Sequence, residues 1–182
     1  MKSKLFYSFV IIISIIGFQT CEKSPTLEDF YKDQEAKKDS LAIKIPTSAS
    51  LFQKEYIKEI NKIRAKGCKC GEVEMPAVGP VVWSGELEAA GILHAMDMNK
   101  NDYFSHYSLD GASPGDRVSE TGYVWLKVGE NLEKGVASVE EILAAFVKSV
   151  NHCKVMMDGS YVELGIGVDG VYKVFDFAKP ND

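Results

Sequence analysis

Basic clusters are missing from this chain of 182 residues: 21 Lys and Arg stand against 26 Asp and Glu, and they do not gather into patches. Residues 1–20 carry Lys2 and Lys4 and no acid, so the rest of the chain is more acidic than the formal −5. Such a chain lacks the electrostatic footprint of a nucleic-acid binder, and that class is excluded. Internal repeats are absent. No Gly-x-Ser-x-Gly elbow and no His-Glu-x-x-His helix occurs, so two common hydrolase motifs are missing. No other nucleophile stands out, since adjacent Ser105 and His106 point their side chains in different directions. The residues favour binding over catalysis.

Only one long uncharged run exists. Leu5–Thr20, behind Lys2 and Lys4, is short for a membrane span and reads as an export signal over residues 1–20. Cys21 follows directly, the arrangement of a bacterial lipoprotein acylated there, although Gln19 and Thr20 depart from the usual small-residue pattern. Several acyl chains on one residue would hold the chain stably on a membrane. Residues 21–50 are dense in charge of both signs and read as a tether that spans roughly 30 Å.

Apolar residues make up 46% of the chain and charged ones 26%, which excludes wholesale disorder and a collagen-like fibre. The folded part begins at Leu51. Ser50 and Gln53 have capping-box form, and Phe52, Tyr56, Ile60 and Ile63 follow at helical spacing up to Gly67. A long connection over residues 67–80 leads to a helix from Ser84, whose apolar face holds Leu87, Ala90, Gly91, His94 and Met98. His94 reads as a packed, hydrogen-bonded histidine that Asp97 orients. Ser113-Pro114-Gly115-Asp116 opens a short helix that stops before Gly122. Ser138 and Glu141 cap another, carrying Ile142, Leu143, Phe146, Val147 and Val150. Then the period changes. Val162, Leu164, Ile166 and Val168 alternate, Asp169-Gly170 marks a hairpin, and Tyr172 to Phe177 returns as a strand. Helices come mainly first and strands last, with one sheet face apolar, which indicates an α+β layered domain. Tyr123 and Trp125 are core candidates, with the alternative that this aromatic pair lines a lipid groove.

The string Leu93-His94-Ala95-Met96-Asp97-Met98, Phe104-Ser105-His106, Asp110-Gly111, Arg117, Gly122-Tyr123 and Gly129-Glu130-Asn131, then Ser149-Val150-Asn151-His152, resembles the CAP superfamily. This group comprises the cysteine-rich secretory, antigen 5 and pathogenesis-related (SCP-domain) proteins, and the likeness is to its bacterial branch. The resemblance covers about residues 51–178, leaving 179–182 as a tail. It implies an α-β-α sandwich with a central antiparallel sheet and a cleft, in an exported protein. Family members commonly hold two histidines and two glutamates in that cleft. His106 and Glu130 match the first of each, and His152 the second histidine. The second glutamate would fall at Ser149, so the tetrad is incomplete.

Candidate cleft residues are therefore His106, Glu130, Asn131, Ser149 and His152. His106, Glu130 and His152 would suit zinc or another divalent cation, with an open position for water. Alternatively, His106 and Glu130 pair with each other and tie loops together. The expected ligand is a lipid, an envelope component or a cation; the alternatives are a metal-dependent hydrolase or an adhesive surface protein. The residues give no oligomeric state. With Cys21 acylated, Cys153 would pair with Cys68 or Cys70, closing a loop worth about 4 kcal/mol and leaving one free thiol. A zinc site from Cys68, Cys70, His152 and Cys153 is the alternative, disfavoured because adjacent His152 and Cys153 would struggle to reach one ion.

Overall fold

The structure, a computed structural model, describes residues 44–181. The expected signal, the acylated Cys21 and most of the tether lie outside those residues. No helix among the described residues is long and apolar enough to cross a membrane.

Helix α1 (Leu51–Lys66) starts where Ser50 Oγ accepts the Gln53 N–H at 3.2 Å and ends at Gly67, whose φ of 74° suits glycine. The Gln53 side chain does not complete the capping box. It is buried and donates to the Ile166 carbonyl, tying α1 to the sheet. A hairpin, β1 (Cys68–Cys70) with β2 (Val73–Met75), occupies the segment read as a connection. Its strands are three residues long, too short to show an alternation in sequence.

Strand β3 (Val82–Trp83) precedes α2 (Gly85–Asn101), which Ser84 caps. Helix α3 (Pro114–Glu120) carries a full Ser113–Asp116 capping box, and α4 (Val139–Lys148) a Ser138–Glu141 one. The apolar run of α4 does not continue as one helix. Ser149 takes extended angles (φ −82°, ψ 114°), and α5 (Val150–Met156) begins after it. Strand β4 (Trp125–Lys134) was not legible as a strand; β5 (Glu163–Asp169) and β6 (Tyr172–Pro180) were.

The main sheet runs β3-β5-β6-β4. Its three long strands are antiparallel, as expected, and two-residue β3 adds a parallel edge against β5. Asp169 pairs with Tyr172, so Gly170 and Val171 form the turn.

Both faces of this sheet are covered, as the resemblance implies, although the alternation in β5 by itself indicates one apolar face. Leu164, Ile166, Phe175 and Phe177 pack beneath Tyr56 and Ile60 of α1, Ile142, Leu143 and Phe146 of α4 and Met156 of α5. On the other face Leu132, Val174 and Ala178 meet Leu87, Ala90, Ala95 and Met98 of α2, and Val118 of α3. Glycine makes the second layer possible. A Cβ on Gly167 would lie 1.8 Å from the Gly91 carbonyl carbon, and one on Gly165 2.0 Å from the Glu88 nitrogen. Helix α2 thus rests directly on the β5 backbone, a close approach that only glycine allows.

Buried Arg64 holds the α1 face of the domain. Its guanidinium donates to the carbonyls of Gly79, Met156, Asp158 and Tyr161 at 2.7–3.1 Å, and burial lowers its pKa. Nearby, Cys70 bridges to Cys153 of α5 across 83 residues, and Cys68 is free.

Candidate functional site

Three elements converge on the loop after α2. From α2, the His94 ring meets the Ser105 carbonyl through Nε2 at 2.8 Å, fixing the residue before His106. His94 is packed and hydrogen-bonded as expected, and burial lowers its pKa, with Arg117 adding to the effect. Asp97 does not orient it. That carboxylate instead accepts from the Asn101 amide and the Tyr103 hydroxyl. The Ser105 hydroxyl accepts the Tyr107 N–H, while His106 Nδ1 contacts Glu130.

From α3, Arg117 donates through Nη1 to the His106 carbonyl, the Ser108 hydroxyl and the Ala112 carbonyl at 3.0–3.2 Å. Its Nη2 reaches Glu130 Oε2 at 2.6 Å. From β4, Glu130 accepts from Arg117 on that oxygen and contacts His106 Nδ1 through Oε1 at 2.7 Å. The Glu130 side chain is 1% exposed and Arg117 7%, while His106 is 48% exposed. A buried carboxylate needs a partner, and Arg117 supplies it. The ring of His106 is then held by one nitrogen with its far edge toward solvent.

That edge lines a cleft of about 440 Å³ together with Tyr107, Ser113, Pro114, Gly115, Trp125 and the β4 residues 128–130. The Trp125 ring lies against Gly115, where a Cβ would come within 2.8 Å of it, and its indole N–H donates to Ser119 Oγ. Trp125 is thus a cleft wall rather than a core residue. Hollows of similar volume lie beside Met75 and Met157 (about 430 Å³) and between α1 and α4 (about 460 Å³). Neither contains a histidine or a buried ion pair, so the His106 cleft is the candidate.

The other expected site residues are placed differently. Asn131 is fully buried and donates to the His152 carbonyl from the opposite side of β4. Its role is to join β4 to α5. The His152 ring packs edge-on to Phe146 and does not line the cleft; burial lowers its pKa, and the His106 charge adds to this. Ser149, at the break between α4 and α5, makes no cap bond with its side chain. Among the described residues, only Cys68, Cys70 and Cys153 form a trio of His, Cys, Asp or Glu whose ligand atoms all lie within 4.8 Å of one another. His106, Glu130 and His152 are not brought together in that way. With Arg117 already on Glu130, these residues do not fit a zinc ion.

Two functional residues emerge from the structure alone. Arg117 sat in the motif without a role, because its partners come from the loop and from β4. Asp176 interrupts the apolar strand Val174-Phe175-Asp176-Phe177, which was the available signal. It lies opposite Glu130 across the β4–β6 ladder and is 1% exposed, with Oδ1 unpaired. Burial pushes its carboxyl well above the usual range, Glu130 adds to the push, and Arg117 opposes it.

For a carboxyl raised in the folded state, the folded protein holds a proton that the unfolded chain has released. Stability is then full below the ordinary aspartate range and falls as pH rises through the raised value. Asp176→Asn removes that loss. Its stability gain over wild type should widen from pH 4 to pH 8 in urea titrations; a constant difference would contradict a protonated Asp176.

The pattern of the cysteine-rich secretory protein (CAP) family matches residues 57–175. Protein YkwD of Bacillus subtilis is 26% identical over 132 residues, 72% of this chain and 48% of its own length. The membrane protein YlbC of the same organism is 30% identical over 97 residues, 53% of this chain and 28% of its own. This chain therefore spans less than half of either relative. An extracellular SCP-domain protein of Bacillus anthracis superposes with a TM-score of 0.59 at 21% identity, over 74% of this chain and 45% of that one. An outer surface protein of Borrelia burgdorferi also gives 0.59, at 18% identity over 70% of this chain and 92% of its own. At these identities the two structures bear on the fold alone, and the fold is shared. The matched pattern covers more than half of the chain, and the chain belongs to the cysteine-rich secretory protein family.

Proposed function

We propose that this chain is an exported, membrane-held binding module whose His106 cleft takes a lipid or another envelope component with a polar head and an apolar body. One observation carries the reading: a half-exposed imidazole is held by a fully buried Glu130–Arg117 pair, beneath an aromatic wall of Trp125 and Tyr107. The buried pair fixes the ring, the free ring edge offers one hydrogen bond, and the aromatics offer apolar contact. Export and anchoring are supported by the signal-like start and Cys21. The extracellular and outer-surface descriptions of the Bacillus anthracis and Borrelia proteins agree with export. A divalent cation fits less well, because Arg117 stands where a metal would need Glu130. The hydrolase reading depends on that same metal.

The test is a native mass spectrum of the full-length chain released from its membrane in mild detergent, compared with His106→Ala. The expected result is a bound mass in the lipid range on the wild type, reduced at least tenfold in the variant, with the helical circular dichroism unchanged. A bare mass on both proteins overturns the lipid reading. A zinc-sized increment on addition of zinc chloride, lost in His106→Ala, would instead restore the cation.

A further inference from the structure

Loop closure needs two cysteines, and the domain gathers three. Cys68 and Cys70 stand two positions apart on β1 and so share one face of the hairpin. Cys70 is bridged to Cys153. The free Cys68 Sγ lies 3.6 Å from the Cys153 Sγ, in van der Waals contact with one sulfur of the bridge. Cys70 and Cys153 are fully buried and Cys68 half-buried, in an apolar setting of Ile63, Met75, Val78 and Met157.

We propose that these three cysteines form an intramolecular thiol–disulfide exchange site, with the bridge moving between Cys70–Cys153 and Cys68–Cys153. The Cys68 thiol gives its proton to solvent, and its thiolate attacks Cys153 Sγ. The Cys70–Cys153 bond breaks, and Cys70 leaves as a thiolate that takes up a proton. One S–S bond forms as one breaks, so no oxidant is consumed. The two bridges span 83 and 85 residues, and loop entropy does not choose between them. They differ in which thiol is left over. With Cys70–Cys153 closed, the spare thiol is the half-exposed Cys68, open to alkylation or oxidation. With Cys68–Cys153 closed, it is Cys70 on a fully buried site. The exchange therefore presents or shelters one thiol without opening the domain.

Lys69 makes the two isomers separable, because trypsin cuts between the cysteines. Burial, with a smaller push from Glu74, raises the Cys68 thiol above its ordinary range, so incubation is at pH 9. The full-length chain is incubated in detergent, quenched in acid, blocked with N-ethylmaleimide and digested. The expected map shows residues 67–69 joined to the Cys153 peptide in about a tenth or more of the bridge, at a yield unchanged by tenfold dilution. That species should be absent from Cys68→Ser, and wild type blocked with N-ethylmaleimide before incubation should show no increase in it over the unincubated protein. Cys70–Cys153 alone in the incubated wild type overturns the proposal. So does a Cys68–Cys153 yield that falls on dilution, because the exchange is then between molecules.

Discussion

Replacing Glu130 with glutamine should lower stability by about 3 kcal/mol, or roughly 10 °C in melting temperature, although the shape of the side chain is kept. The carboxylate is 1% exposed and faces a guanidinium that is 7% exposed. Removing one charge leaves the other buried without compensation, which costs more than the intact pair contributes. The His106 contact at 2.7 Å weakens as well, and the loop that carries His106 loses one of its ties. Asp176 softens the effect. It lies across the ladder from Glu130, and once that charge is gone its carboxyl can ionise and face Arg117. The double variant Glu130→Gln/Asp176→Asn removes this rescue and should lose more than the two single changes together. Urea unfolding of the four proteins at pH 7 measures the coupling. A Glu130→Gln melting temperature within about 2 °C of wild type would show that the buried pair does not hold the domain.

Much of this arrangement was legible in sequence wherever the signal is local. The caps at Ser50, Ser84, Ser113 and Ser138 depend on one hydroxyl and the next turn, and each stands where expected. The β5–β6 hairpin announces itself by alternation and Asp169-Gly170. Strand β4 does not, because its burial follows from contacts on two sides: Leu132 meets α2, while Asn131 reaches α5. The second sheet layer was implied by the resemblance, but the residue pattern of β5 does not show it, for a related reason. Gly165 and Gly167 read as polar-face positions in a strand, yet their missing side chains are what let α2 approach. In the site, His106 and Glu130 were identified through resemblance and are in contact. His152 follows at the expected distance along the chain, but its ring turns toward Phe146. Linear spacing fixes the helix and leaves the direction of the ring to packing.

Arg64→Met is the most damaging single change expected in the domain, at about 4 kcal/mol, or roughly 12 °C. In the helical pattern of α1, position 64 falls on the buried face after Gln53, Tyr56 and Ile60, where an apolar residue would be unremarkable. The arginine instead satisfies four carbonyls from three places: Gly79 before β3, Met156 at the end of α5, and Asp158 and Tyr161 before β5. Methionine fills much of the same volume, so little is lost in packing. What is lost is the partner of each buried carbonyl, and an unsatisfied acceptor costs about 1–3 kcal/mol. Lysine should rescue only part of this, since one ammonium cannot match the planar fork that reaches three segments. Amide exchange gives the sharper readout. Residues 157–162 and 76–81 should lose protection first in Arg64→Met, while the His106 loop, tied by His94, Arg117 and Glu130, keeps its own. Uniform loss across the domain would mean that Arg64 supports the fold as a whole rather than these crossings. Unchanged stability would mean that water replaces the guanidinium at no cost, which a side chain with 0% exposure argues against.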